Sequence, residues 1–187
     1  MDFSFEALGI KEKKSVLFSG KSNQAKKLIE LILEKHGNKN NIFVVFDPSN
    51  YFSSMNNSFV ISNKYLGKKP VSLERISLPE ISDKIHSVQM HPESKGILLF
   101  DSLSSMLSFN PSNAVYSFLF FESRKAKELN YSVVCFIDER LHDNAVLSNI
   151  KKIMDYNFFF EVKDNRLFIE LTAFPFNSIK KNFVFEL

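Results

Sequence analysis

The segment Val16-Leu17-Phe18-Ser19-Gly20-Lys21-Ser22-Asn23-Gln24-Ala25-Lys26-Lys27-Leu28 carries the residues best suited to chemistry. An apolar run stops at a glycine, and a helical pattern follows. A phosphate-binding loop has this layout: a glycine, four residues, then Gly-Lys-Ser/Thr, so that backbone N–H groups and a helix N-terminus surround the phosphate. In that register Gly20 and Lys26 stand where the loop needs them, with Lys21 inside it and Lys27 at its end. Ala25 replaces the second glycine and Lys27 the hydroxyl residue. An alanine where a loop needs positive φ costs about 1 kcal/mol or more, and its methyl crowds a phosphate. Lysine has three donors and no acceptor, so Lys27 cannot ligate Mg²⁺ and repels it. Two readings stay open: phosphate binding without hydrolysis through Lys21, Lys26 and Lys27, or a plain strand–turn–helix with exposed lysines.

A second segment, Gly96-Ile97-Leu98-Leu99-Phe100-Asp101-Ser102, is an apolar strand ending in a carboxylate. Asp101 has the form of an aspartate that holds a Mg²⁺ shell, and equally that of a turn or N-cap residue. His86 and His91 lie five apart, whereas helical metal pairs use three or four, so no metal site is predicted. In His142-Asp143 a carboxylate is placed to orient an imidazole, but a surface loop is the weightier reading. Cys135 is the single cysteine and sits in the apolar run 133–137, where it reads as a small buried hydrophobe. No Ser/His/Asp arrangement has supporting structure.

The elements that must position these residues are legible. Runs at 15–19, 42–46, 97–100 and 133–137 are continuously apolar, as expected for strands covered on both faces of a parallel sheet. Residues 157–162 and 166–171 alternate more and flank a polar turn, which predicts an antiparallel hairpin. Helical spacing appears over 24–35, 112–129 and 144–154, and more weakly over 78–88. Strand and helix alternate, which predicts an α/β three-layer fold with a mainly parallel sheet and a C-terminal antiparallel hairpin. The chain reads as a single domain over 1–187, with 1–13 as an N-terminal extension. The connection 50–69 has no clean period apart from a short strand at 59–61, and long unpatterned connections are often functional.

Composition narrows the function classes. The chain has 187 residues, 44% hydrophobic and 24% charged, so wholesale disorder is excluded. A net charge of +3 is too small to make nucleic acid the default partner. No apolar run reaches the length of a membrane span, no signal peptide is legible, and a single cysteine suits a reducing compartment, so a cytoplasmic protein is expected. Phenylalanine occurs 21 times without any tryptophan. Phe118 to Phe121 and Phe158 to Phe160 read as packing residues, with Phe120 and Phe159 set to face away and mark a protein–protein surface if exposed.

The string Leu99-Phe100-Asp101-Ser102-Leu103-Ser104-Ser105-Met106-Leu107, with Asn110 and the helix from Ala114 to Leu119, resembles the Walker B strand and following helix of the RecA/KaiC-type ATPase core, specifically its archaeal KaiC-like branch. Tyr131 to Asp138, Leu141-His142-Asp143, Ile153 to Tyr156 and a closing strand near Phe183-Val184-Phe185 fit the same pattern, which covers 14–187. The resemblance implies a RecA-like (P-loop NTPase) fold, an ATP site at the first loop, and ring or filament assembly with nucleotide between subunits. Only Gly20, Lys26 and Asp101 match at nucleotide-site positions, and Asp47-Pro48 stands where the family's catalytic glutamate follows the second strand. The expectation is therefore a degenerate, non-hydrolysing domain without catalytic residues, with ATP an open cofactor and Mg²⁺ disfavoured. It would act by protein contact or self-association in a regulatory or assembly role, with no membrane or nucleic-acid partner. A slow ATPase or ATP-binding switch, and an accessory protein of DNA recombination or repair, are the alternatives.

Overall fold

The computed structural model describes residues 3–36, 40–47, 59–62, 71–72, 77–88, 95–173 and 181–187. Its strands are β1 (Ser15–Ser19), β2 (Ile42–Val45), β3 (Phe59–Ser62), β4 (Val71–Ser72), β5 (Gly96–Phe100), β6 (Tyr131–Ile137), β7 (Tyr156–Lys163), β8 (Arg166–Ala173) and β9 (Asn182–Glu186). Its helices are α1 (Ser22–His36), α2 (Leu78–Ser87), α3 (Leu103–Phe109), α4 (Ser112–Glu128) and α5 (Asn144–Ile153). The strands form one sheet in the order β4-β3-β2-β5-β6-β1-β7-β8-β9. Pairing is parallel from β4 to β7 and antiparallel across β7, β8 and β9. The fold is thus α/β with a mostly parallel sheet and an antiparallel C-terminal extension. Of the connection 50–69, only 59–62 fall within the described residues, and they form β3 as the apolar run there predicts.

The continuous apolar runs end up with both faces covered, which is why they do not alternate. On one face Val16, Phe18, Phe43, Val134, Phe136 and Phe158 pack under Leu28, Ile29 and Ile32 of α1. On the other, Leu17, Val44, Leu98, Val133 and Cys135 pack under α2, α3, α4 and α5. The segment before β1 is part of the first core, because Phe3, Phe5, Leu8 and Ile10 are buried and Phe5 stacks on His36 at 4.4 Å. Much of the phenylalanine excess also lies there. Phe136, Phe18 and Phe158 stand at one level of β6, β1 and β7, each ring 5.5 Å from the next. Each fully buried aromatic ring contributes about 1.5–3 kcal/mol by leaving water.

Local chemistry sets the ends. The β7–β8 hairpin turns at Asp164 and Asn165, both at positive φ (49° and 56°), as a two-residue turn matching strand twist requires. Ser102 caps α3, its hydroxyl accepting from Ser105 N–H at 3.1 Å. Asp155 ties the starts of β1 and β7 together. Its carboxylate accepts from Ser15 N–H at 2.7 Å and Ser15 O–H at 2.9 Å, and pairs with Lys127 at 2.7 Å. Burial pushes its pKa up, yet the Lys127 and Ser15 hydrogen bonds outweigh burial and hold the group below its ordinary value.

Helix α1 begins at Ser22, two residues earlier than its apolar spacing predicts. Only Gly20 and Lys21 separate it from β1. The turn is tight because β1 continues its ladder, Gly20 N–H donating to Ile137 C=O at 3.1 Å, while β7 presses from the other side. A Cβ at position 20 would lie 2.5 Å from the Phe160 carbonyl oxygen and 2.7 Å from its ring. Position 20 therefore needs glycine for close packing of β1 against β7. Gly20→Ala is expected to lower unfolding free energy by about 1–3 kcal/mol, the usual cost of overpacking, read from urea unfolding; an unchanged midpoint would contradict this packing role.

Candidate functional site

Strand β1 sends its helix to one face of the sheet, and β6 beside it leads through α5 to the other. In open α/β sheets a ligand crevice opens outside the carboxyl ends of the strands at such a switch point. That point lies between Gly20 and Asp138, where a nucleotide phosphate would be received.

Here the position is filled by the chain itself. Asp138, at the end of β6, is 3% exposed. Its Oδ2 accepts the Ser22 N–H at 3.0 Å, so a carboxylate occupies the N-terminus of α1. Arg140 grips the same group as a fork, Nε to Oδ1 at 2.9 Å and Nη2 to Oδ2 at 2.6 Å. The Arg140 N–H adds a bond to Oδ1 at 3.2 Å. The Arg140 hydrogen bonds, aided by the Ser22 and Arg140 backbone bonds against some burial, hold the Asp138 carboxyl far below the usual carboxylate range.

The contacts around this carboxylate close the crevice from both sides. Gln24, in the first turn of α1, pairs its side-chain amide with β7 beyond the end of β1: Nε2 donates to Val162 C=O and Oε1 accepts Val162 N–H, both at 3.0 Å. On the other side Asp138 N–H donates to Ser104 Oγ of α3 at 3.1 Å, and His142 Nε2 lies 2.8 Å from the same oxygen. Burial pushes the His142 pKa down, against the pull of Asp138 and Asp143, which favours the neutral ring. Neutral Nε2 can accept the Ser104 hydroxyl proton while the Ser104 oxygen accepts from Asp138 N–H. The Ser104–His142 pair is thus committed to holding α3 and the loop after β6 together.

The residues singled out by the phosphate-loop register do not converge. Gly20 and Lys21 form the short turn. Ala25 closes the first turn of α1 and is buried among core residues, and Lys26 and Lys27 open the second turn. Lys27 pairs with Glu30 at 3.4 Å on the helix surface. Asp101 directly follows β5, which lies one strand, β6, away from β1. It is buried, and its carboxylate accepts Phe46 N–H at 2.8 Å and Asp47 N–H at 3.0 Å, so it secures the end of β2. The turn holds only Gly20 and Lys21, and the first helical N–H, that of Ser22, donates to the Asp138 carboxylate.

Other candidates are resolved by their surroundings. His86 pairs with buried Glu122 at 3.4 Å, and Ser82 donates to Glu122 at 2.6 Å, which joins α2 to α4. His91 lies outside the described residues. Among the described residues no group of three or more His, Cys, Asp or Glu side chains gathers as metal ligands. Cys135 is buried, and burial pushes its thiol well above the usual range, as a core hydrophobe requires. A cavity of about 350 Å³ does open, but at the opposite end of the sheet, among Lys13, His36, Lys95 and Asn130. No helix among the described residues is long and apolar enough to cross a membrane.

Asp138 is the residue that sequence reasoning passed over, as a simple strand stop. The signal was the Asp138-Glu139-Arg140 spacing after an apolar run, which allows a carboxylate–guanidinium fork. Its contact with Ser22, 116 residues away, had no sequence signature.

Strand order and layering define a RecA-like fold. Among solved structures it is shared by the flagellar accessory protein FlaH from Methanocaldococcus jannaschii, with a TM-score of 0.58 and 14% identity, over 99% of this chain and 92% of that one. At that identity the likeness concerns the fold alone. No protein-family model matches the chain, and no curated protein matches it.

The Asp138 contact predicts acid sensitivity. A carboxylate with a depressed folded-state pKa contributes stability above its unfolded pKa, about 3.9, and loses it as pH falls toward the folded value. Asp138→Asn is expected to cost about 1–3 kcal/mol at pH 7, the range for charged hydrogen bonds, with the difference from wild type shrinking below about pH 4. Urea unfolding at both pH values checks this; a difference independent of pH would remove the ionised carboxylate from the account.

Proposed function

We propose that this chain is a RecA-like domain of the KaiC-like kind that has given up ATP hydrolysis and works through protein contact. The observation that carries the reading is the Ser22–Asp138 bond: the anion position at the start of α1 is taken by the protein's own carboxylate. Three further features agree with it. Lys27 stands in place of the magnesium-binding hydroxyl. Asp101 spends its carboxylate on the backbone of Phe46 and Asp47. Asp47 is shorter than a glutamate by one methylene where water activation is needed.

A role in protein contact has support at the surface. Phe120 and Phe121 on α4, and Phe159 and Phe168 on the C-terminal strands, are substantially exposed. Large apolar side chains left in water at neighbouring positions mark interaction surfaces. The KaiC-like assignment rests on the string Leu99 to Leu107 and the helix that follows. No observation favours an ATP-driven switch or a DNA-recombination accessory over this reading.

Titration with a fluorescent ATP analogue, with and without Mg²⁺, tests the proposal. The expected result is no saturable binding at millimolar nucleotide, no Mg²⁺-dependent turnover, and the same behaviour in Lys26→Ala. Saturable, Mg²⁺-dependent binding that Lys26→Ala or Asp101→Ala abolishes would overturn it.

A further inference from the structure

The sheet has two edges, and they differ. At one end β4 is a two-residue strand, Val71–Ser72. At the other, β9 runs from Asn182 to Glu186 in unbroken register with β8. Natural sheets blunt such edges with proline, bulges or charged side chains. The sequence Asn182-Phe183-Val184-Phe185-Glu186 has no proline and no bulge, its charges stand only at the ends, Lys181 before it and Glu186 at its close, and Val184 at its centre is 46% exposed.

The direction of the edge groups follows from the ladder. Leu187 N–H donates to Asn165 C=O, and Leu171 N–H to Lys181 C=O. Hydrogen-bonded pairs recur at every second residue of an antiparallel ladder. Residues 181, 183, 185 and 187 therefore point their N–H and C=O groups at β8, while Asn182, Val184 and Glu186 point theirs outward. Among the described residues no strand pairs with that outer side.

We infer that β9 pairs antiparallel with β9 of a second copy of this chain, about a two-fold axis at Val184. The register follows from the strand's own polarity. Centred on Val184, Asn182 of each copy meets Glu186 of the other, and Val184 meets Val184. All of these residues carry outward backbone groups, so every pair is of the hydrogen-bonded type and exchanges two bonds. The Asn182 side-chain amide is a donor and the Glu186 carboxylate an acceptor, so the pairs at both ends are complementary. Glu186 already meets Arg166 at 2.9 Å, which presents its carboxylate beside the edge. A parallel alignment would instead set Lys181 near Lys181 and Glu186 near Glu186. The two-fold closes on itself, so pairing stops at a dimer.

Side chains gain as well as backbone. Phe168 stands opposite Val184 on the bare face of the extension and is 38% exposed. Pairing joins Phe168 and Val184 of one copy to Val184 and Phe168 of the other in one cross-strand row. On the opposite face Phe183 meets Phe185 of the second copy, which continues the aromatic layer that Phe3 and Phe185 begin. This inference deepens the protein-contact reading and rests on it for the nature of the partner, but not on the state of the α1 N-terminus.

Sedimentation velocity of the full chain across a micromolar concentration series tests it, alongside Val184→Pro and Val184→Lys. Val184 N–H points away from β8, so proline there removes no ladder bond of the single chain but blocks the two-fold pair. Lysine places like charges across the axis without constraining the backbone. The expected result is a wild-type dimer, with both variants monomeric, their far-ultraviolet circular dichroism unchanged and their melting independent of concentration. If the proline variant does not fold, the lysine variant decides. A monomeric wild type, or an assembly that survives the folded variants, would overturn the inference. Nucleotide titration of Val184→Lys separates the two proposals: binding there contradicts the closed site and leaves the strand pairing standing.

Discussion

The structure turns on one buried charge. Asp138 sits at the carboxyl end of β6 almost without solvent, and an unpaired carboxylate there would be costly. It is stabilised by the Arg140 fork and by the first N–H of α1. The second contact fixes where α1 starts, because an N–H that finds a tertiary acceptor no longer needs a loop residue or water. With α1 starting at Ser22, the turn after β1 has room for only Gly20 and Lys21. Gln24 then reaches Val162, and Ser104 reaches Asp138 from the other side. The length of the turn after β1 and the place of the lysines on α1 follow from where that carboxylate goes.

The architecture of this sheet is held independently of what happens at its switch point. The core depends on the strands being apolar on both faces and on the phenylalanine row across β6, β1 and β7. None of that requires a phosphate. Gly20 is an example. A glycine after the first strand is what a phosphate loop needs, yet here its missing side chain makes room for the Phe160 carbonyl and ring. The Asp101 carboxylate likewise has a structural task, as a backbone acceptor for the end of β2.

Sequence periodicity carried the fold further than the site. The buried strands, the C-terminal hairpin and the helices over 78–88, 112–129 and 144–154 appear where apolar spacing places them, since burial of a face leaves a repeating mark. The short helix α3 was missed, being two turns without a full apolar stripe, although Ser102 three residues before Ser105 was a usable cap signal. The start of α1 was missed by two residues because its determinant is a tertiary bond across 116 residues. Residues that match a motif by spacing are legible in a sequence. Whether the loop between them exists depends on what else fills the space, and here that is Asp138, Gln24 and Phe160.

The most direct measurement is the ¹H–¹⁵N resonance of the Ser22 amide. The account predicts a strongly hydrogen-bonded amide that stays in place as ATP and Mg²⁺ are added at neutral pH, and moves only when acid protonates Asp138 or when Asp138 is replaced by alanine. A Ser22 resonance that shifts on nucleotide addition at neutral pH would show that the start of α1 is open to phosphate, and would contradict the account.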